Sequence, residues 1–526
     1  MGQERFADVV ERFANGFGAV VSNASPETVK QWQEEIDKNV RRLKNLHAML
    51  TSPVEPKTGQ TPREEIYKKN KSRLYRYASS RKYRTPLLFV PNLGISRPYI
   101  FDLLPNGSFI EHMTREGFDF YLLDWGVFGP EDNGLTVEEC VTKILPRMAR
   151  KALESSGASE LTVLGYCMGA PMSACFVASH PEIPVKNYID MAGPIDFDQV
   201  GLFGLWLSKE HFNVDRFVDT LGSVPADMVK AGFKLIKPTM DLSTNLNLWW
   251  NLWNDTYVEG FQALNKWANE YVAFPGEFFR QWVRDFYQGN KLYRGELLMG
   301  GRPVRLADIT CPVFAVGAKE DYIAPPACVR ALVGAVGSRE KEYVELPGGH
   351  ISLIAGRGAA LHCWPKVSGW LGPRSAQAWA RLVSQQAPST PTPDPWGFWR
   401  PVLDQGLQTW ARLFSQTPAT PDLLGQWKQF LDQWIEGWSK VLGQTMGTEQ
   451  FAKMMGQSLD SFLVSQAPVK KLVDQQVEQA LQAFNLPSRS QVTAVAKQLV
   501  ELEERIERLE DGINAVLKRL SDKEPK

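Results

Sequence analysis

Leu161-Thr-Val-Leu-Gly-Tyr-Cys167-Met-Gly-Ala170 is the stretch on which the reading of this chain turns. Its first half is apolar and partly β-branched, the pattern of a buried strand. Gly165-x-Cys167-x-Gly169 follows, and Pro171 to Ala178 reads as a helix. Strand, sharp turn and helix with a nucleophile at the apex make a nucleophile elbow. The flanking glycines fit, because a Cβ at either position would meet a neighbouring strand or helix. The nucleophile here is a thiol in place of a hydroxyl. At a helix N-terminus the dipole and the free N–H groups favour a thiolate. A buried structural cysteine in a glycine turn is the competing reading, and the residues downstream separate the two.

A thiol nucleophile needs a base, and the base needs a group to orient it. His350 lies in Pro347-Gly-Gly-His350-Ile, a loop after a predicted strand. Asp321 lies in Gly317-Ala-Lys-Glu-Asp321-Tyr, just past another. The order Cys167, Asp321, His350 is that of an α/β-hydrolase triad. Asp124 is a rival acid at a strand end, but it precedes the nucleophile. His362, beside Cys363, reads as an ordinary helical histidine, and His180 as a cap on the helix after the elbow. The oxyanion hole is expected from the N–H of Met168 and a second from the 92–95 stretch, at Leu93 or Gly94.

Further strands are expected at Thr85–Val90, Gly117–Gly126, Tyr188–Pro194, Pro312–Gly317 and Tyr343–Pro347. Alternating with helices, they predict a mostly parallel sheet. From Val200 to about Leu298 the sequence turns helical and aromatic, with Trp249-Trp250-Asn-Leu-Trp253 and Phe278-Phe279-Arg-Gln-Trp282. An insertion there would lie over the carboxyl ends of the strands, so a cap is expected.

The chain has 526 residues and zero formal charge, which implies more than one domain and no global field toward nucleic acid or anionic lipid. The 6 cysteines follow neither a disulfide framework nor a zinc pattern, so no metal is expected. The first residues carry no apolar signal core, and no run is long enough to span a bilayer. A cytoplasmic, reducing setting is the expectation. Residues 57–84 are basic with interleaved tyrosines; the solvated face of an antiparallel strand is the plainer reading, a phosphate-binding patch the bolder one.

Outside the catalytic region, 1–62 is expected to be a helical segment, with Val29, Trp32, Ile36, Val40, Leu43, Leu46 and Leu50 on one face packing on the main domain. The catalytic domain is 63–373, and 374–395 is a proline-rich linker. A Trp-rich helical region is expected over 396–484, with a repeat that begins just ahead of it: Thr392-Pro-Asp-x-x-Gly397-x-Trp399 recurs 28 residues later as Thr420-Pro-Asp-x-x-Gly425-x-Trp427. In 487–521, Val492, Val495, Leu499, Leu502, Ile506, Leu509, Ile513, Val516 and Leu520 form a coiled-coil seam.

From about Tyr67 to Leu371 the residues resemble the catalytic subunit of class III and class IV polyhydroxyalkanoate synthases. The match is carried by Arg97-Pro98-Tyr99, Gly117-Phe-Asp, Asp124-Trp125-Gly126, Gly165-Tyr-Cys167-Met-Gly169, Asp196-Phe197, Phe279-Arg280 and Gly349-His350-Ile351. The resemblance implies an α/β-hydrolase fold with a helical cap. It also implies polymerisation of 3-hydroxyacyl-CoA, such as 3-hydroxybutyryl-CoA, into polyester with release of coenzyme A. Coenzyme A then enters as substrate, and no cofactor is needed. It makes Cys167 the acyl carrier, His350 its base and Asp321 the activator of the 3-hydroxyl, and it links Trp267 to a dimer or cap contact. The tail, through Leu486-Pro-Ser-Arg-Ser-Gln-Val492, resembles the helical partner subunit of those enzymes, which implies a fused regulatory unit. The expected partners are the substrate, the growing polyester and its granule surface, and a second copy through cap or coil. Where the family box ends in Gly-Gly, this chain has Gly169-Ala170, one extra methyl at a crowded helix start. A cysteine hydrolase or acyl-CoA thioesterase on the same fold is the alternative, and a granule-coating scaffold the non-enzymatic one.

Overall fold

The computed structural model describes residues 26–51, 55–375 except Ala78 and Arg81, 423–483, and scattered positions between 494 and 513. The chain divides into two compact units, Met1–Lys57 with Met240–Lys266, and Thr58–Thr239 with Trp267–Lys526.

The larger unit is built on an eight-stranded sheet. Its strands are β1 (Arg63–Lys69), β2 (Ser72–Tyr77), β3 (Leu87–Val90), β4 (Phe120–Asp124), β5 (Leu161–Tyr166), β6 (Val185–Met191), β7 (Val313–Ala318) and β8 (Lys341–Leu346). The spatial order is β1-β2-β4-β3-β5-β6-β7-β8. β1–β2 and β2–β4 pair antiparallel, and the remaining pairs are parallel. β3, β4, β5 and β7 are buried along their whole length. Parallel strands covered on both faces read as unbroken apolar runs, and these do. Since β5 is central, its carboxyl end opens at the middle of the sheet.

The basic run forms the β1–β2 hairpin, and its charges find internal partners. Arg76 Nε donates to Asp119 at 2.9 Å, Arg73 pairs with Glu65 at 3.0 Å, and Lys71 bonds Asp132 at 2.6 Å and also Glu131. The Arg63 guanidinium lies 4.2 Å from the centre of the Tyr75 ring. Those pairings support the plainer, structural reading of the run.

Beyond β6 the expected insertion is helical: α1 (Leu202–Trp206), α2 (Val214–Leu221), α3 (Ala226–Ile236) and, in the larger unit again, α4 (Gly276–Gln281). Residues 240–266, inside the expected cap, group with the N-terminal helix Pro26–Thr51. There Asn45 Nδ2 donates to Leu252 O and to Asp255 Oδ1, each at 2.8 Å, and Lys38 sits over the Trp253 ring. That helix was expected to bury one apolar face, yet Val40, Leu43 and Leu50 are exposed in the single chain.

In the tail, α5 (Leu423–Met446) and α6 (Glu449–Ala483) join the larger unit. The second copy of the repeat lies in α5. The first copy, most of the linker and much of the expected coil lie outside the described residues. Of the seam, Val495, Leu502, Ile506, Leu509 and Ile513 are described, and each is exposed.

Candidate active site

Cys167 sits one residue past β5 with φ of +54°. That left-handed conformation costs a residue with a Cβ about 1–3 kcal/mol and marks functional sites. The turn is held from both sides: Cys167 N–H donates to Met191 O at 3.0 Å, and Ala170 N–H returns to Cys167 O at 3.0 Å. The glycine requirement is steric. A Cβ on Gly165 would lie 2.4 Å from Ala170 Cα, and one on Gly169 would lie 2.1 Å from Val90 O. The helix Gly169–Ser179 therefore starts in contact with the end of β3 and the loop that follows it.

Ala170 fits because of a second glycine. A Cβ on Gly193 would come within 2.3 Å of the Ala170 methyl. The missing side chain at 193 thus makes room for the extra one at 170. Tyr188 secures the same turn by donating its hydroxyl to Ala170 O at 2.7 Å.

The loops after β7 and β8 bring Asp321 and His350 together. His350 Nδ1 and Asp321 Oδ2 are 2.7 Å apart. Asp321 Oδ1 accepts from Ile323 N–H at 2.8 Å and from Ala324 N–H at 2.9 Å. The acid is thus aimed by its own loop, and both side chains are buried. Gly348 takes φ of +99°, and a Cβ there would press on Ser352 at 2.7 Å. Burial pushes the His350 imidazole down, but the neighbouring Asp321 and Cys167 charges outweigh it and hold it well above the usual range. Nε2 has no hydrogen-bond partner among the described residues, and Cys167 is one of the two neighbours that raise the ring. Such contacts often tighten only when substrate is bound.

All three expected triad residues therefore meet at the carboxyl end of the sheet. The others do not join them. Asp124 Oδ1 accepts from Gly126 N–H at 2.9 Å in its own turn. His180 caps the elbow helix, with Nδ1 at 2.9 Å from Ser179 Oγ and 3.2 Å from Phe176 O. His362 is exposed in the π-helical turn Ala359–Cys363. Met168 opens the elbow helix, and Leu93 and Gly94 lie in the loop after β3, with φ of +66° at Gly94. Trp267 Nε1 donates to Arg97 O at 2.9 Å, tying the residue after 240–266 to the loop after β3 within the larger unit.

Three neighbours carried no mark in the sequence reading. Tyr166, between Gly165 and Cys167, donates its hydroxyl to His350 O at 3.3 Å, with ring centres 5.1 Å apart. Tyr287, from the π-helical turn Trp282–Tyr287, is pushed up by burial and by the nearby Cys167 and Cys328 thiols. Asp190, near the end of β6, is fully buried; burial drives its carboxyl well above the carboxylate range, against the Gly193 N–H, which donates to Oδ1 at 2.8 Å. Its Oδ2 has no partner among the described residues. Tyr166 was legible as the variable position of the elbow motif, whereas Tyr287 and Asp190 have no local signature. Among the described residues, no group of three or more His, Cys, Asp or Glu side chains is arranged to hold a metal ion.

Known proteins bear on this geometry. Residues 85–356 match the alpha/beta hydrolase fold family, and residues 377–510 match the Poly(R)-hydroxyalkanoic acid synthase subunit family. A protein of Haloferax mediterranei named poly(3-hydroxyalkanoate) polymerase subunit PhaC is 33% identical over 66% of this chain and 70% of its own length. Its namesake in Allochromatium vinosum is 32% identical over 60% of this chain and 90% of its own. The one in Synechocystis is 29% identical over 66% and 93%.

Proposed function

The chain belongs to the poly(3-hydroxyalkanoate) polymerase subunit PhaC family, and from that premise we propose how its residues divide the work. It is an acyltransferase that polymerises 3-hydroxyacyl-CoA with release of coenzyme A. Cys167 carries the acyl group. It hands its proton to His350 Nε2, and the resulting thiolate, paired with the imidazolium, attacks the substrate thioester; the bond to the coenzyme A sulfur breaks, and the imidazolium gives the proton to that leaving thiolate. Attack on a thioester gives another thioester, so the acyl group stays activated. A 3-hydroxyl then attacks it, giving up its proton to the His350–Asp321 pair. An ester forms, and the Cys167 thiol is restored. The N–H of Met168, with that of Leu93 or Gly94, steadies the oxyanion in both halves. The observation that carries this reading is the left-handed Cys167 at the β5 apex, beside a histidine hydrogen-bonded to Asp321.

The tail acts in cis as the synthase-subunit part of the enzyme. Tethering replaces a bimolecular assembly with a high local concentration. The product is apolar, and the exposed Phe430, Trp434 and Trp438 of α5 suit a polyester granule surface in the cytoplasm. The exposed seam residues of 495–513 suit a homodimeric coil.

The test is coenzyme A release and turbidity with 3-hydroxybutyryl-CoA. The full chain should release coenzyme A and turn turbid. Cys167→Ala should lose at least about 10⁴-fold in rate, with its melting temperature unchanged. Release without polymer would leave a thioesterase, and an active Cys167→Ala would remove the acyl-enzyme.

A further inference from the structure

The fused tail reaches the catalytic acid. α5 and α6 meet at a joint formed with α1, the end of α3 and the loop that carries Asp321. Trp206, Ile236, Met446 and Ala452 are buried in it, and Ile323 and Phe451 pack against them. Trp206 Nε1 donates to Met446 O at 3.0 Å, which fixes the α5–α6 corner on the cap. Next to the joint, Lys237 Nζ lies 5.3 Å from the centre of the Tyr322 ring. Farther along α6, Arg216 bonds Asp460 at 3.0 Å and Leu463 is buried in the main core. Between them the approach is closest: a Cβ on Gly456 would lie 2.2 Å from His211 O. α6 rests on the cap backbone there, and the glycine permits it.

Ile323 is the residue that matters for chemistry. Its side chain faces the tail joint, while its N–H is one of two that hold Asp321 Oδ1. Resting on the roles assigned above to Asp321 and His350, we propose that docking of α5 and α6 sets the aim of the catalytic acid through Ile323. The tail then acts as a positioning element for the triad, and undocking it slackens the 321–324 loop while leaving the elbow intact. The elbow has its own constraints at Gly165, Gly169 and Met191, none of which involves the tail.

Several polar groups frame the loop and its histidine. Cys167, Tyr166 and Asp321 face His350; Cys328 lies beside Asp321, and Tyr287 beside Cys167. On the outside, Glu320 accepts from Gly348 N–H, Lys237 covers Tyr322, and His211 stands 3.8 Å from Glu449. Of these, Asp321 is the charged group held by the Ile323 N–H, and it is the main neighbour that raises His350. A slackened loop weakens that support.

The experiment uses the full chain and two undocking variants, Gly456→Val at the close approach and Ala452→Arg in the joint. Hydrogen exchange over 423–466 reports docking. Alkylation of Cys167 by iodoacetamide across pH reads the triad without needing polymerisation. If docking aims Asp321, both undocked variants shift the rising limb of the alkylation profile to higher pH, because the imidazolium that pairs with the thiolate loses part of its partner. They also lower kcat for coenzyme A release by about tenfold to a hundredfold with KM little changed, the scale expected of a misplaced catalytic group. Ile323→Ala reproduces the shift with the tail still docked, and Ile323→Val restores the normal profile. Faster exchange over 423–466 with an unmoved alkylation profile would overturn the proposal, as would wild-type behaviour of Ile323→Ala. Failure of the polymerase reading looks different: the full chain would then release coenzyme A without forming polymer, whatever the tail does.

Discussion

The elbow and the tail use apolar and small residues to opposite ends. In the elbow almost every position is filled: backbone atoms crowd the places where Gly165 and Gly169 would carry a Cβ, and Gly193 yields the space that the Ala170 methyl takes. In α5 only one edge of the apolar stripe is covered. Ile435 and Met446 are buried, while Phe430, Trp434, Trp438 and Val441 are exposed along the same helix. The elbow is a site of fixed geometry that cannot move without unfolding its surroundings. The tail is a surface element that meets the cap at Trp206, His211 and Arg216 and leaves much of its apolar stripe exposed.

Substitutions can test the contrast from both sides. Gly169→Ala should be the most damaging, because its methyl meets two carbonyl oxygens of the β3 end and no flexible side chain is available to yield. A loss of about 3 kcal/mol in urea unfolding is expected; a variant of wild-type stability would mean the helix start can shift. Gly193→Ala should cost about 2 kcal/mol, and Ala170→Gly added to it should recover part of that loss. The recovery stays partial because the Asp190 carboxylate also crowds position 193. Strict additivity in the double variant would show that the two positions do not share one space.

Asp190 gives a pH-dependent version of the test. Its carboxyl is raised in the folded chain, so the folded state keeps a proton that the unfolded state releases near its ordinary value of about 4. The stabilising contribution is whole below that value and is lost as pH rises toward and through the folded one. Asp190→Asn removes the dependence. Its stability relative to the parent should improve by about 1 kcal/mol or more between pH 5 and pH 8, and a constant difference would mean a charged, partnered carboxylate. The smallest effect belongs to the tail. Trp434→Ala and Trp438→Ala should each change stability by less than about 0.5 kcal/mol, while weakening retention on polyester granules in a sedimentation assay. A large stability loss would mean that these rings are covered in the working enzyme.

The catalytic half was legible in the sequence because its constraints are local. A strained apex needs glycines at fixed offsets, a buried parallel strand needs an unbroken apolar run, and a triad drawn from loops at strand ends keeps its chain order. Those rules identified Cys167, Asp321 and His350, and set aside His362 and His180. The resemblance to polyester synthases rests on the longer motifs around them. What the sequence by itself determined is therefore the fold and the gathering of Cys167, Asp321 and His350 at one end of the sheet, since each is written within a few residues of a strand end. The tertiary structure alone decided the rest. Gly193 answers for Ala170 from 23 positions away. Residues 240–266 group with the N-terminal helix in one compact unit. A tail corner more than a hundred residues beyond Asp321 shares one apolar cluster with Ile323, whose N–H bonds Asp321. Such pairings depend on which surfaces meet after the chain has closed on itself, and periodicity along one segment holds no record of its partner.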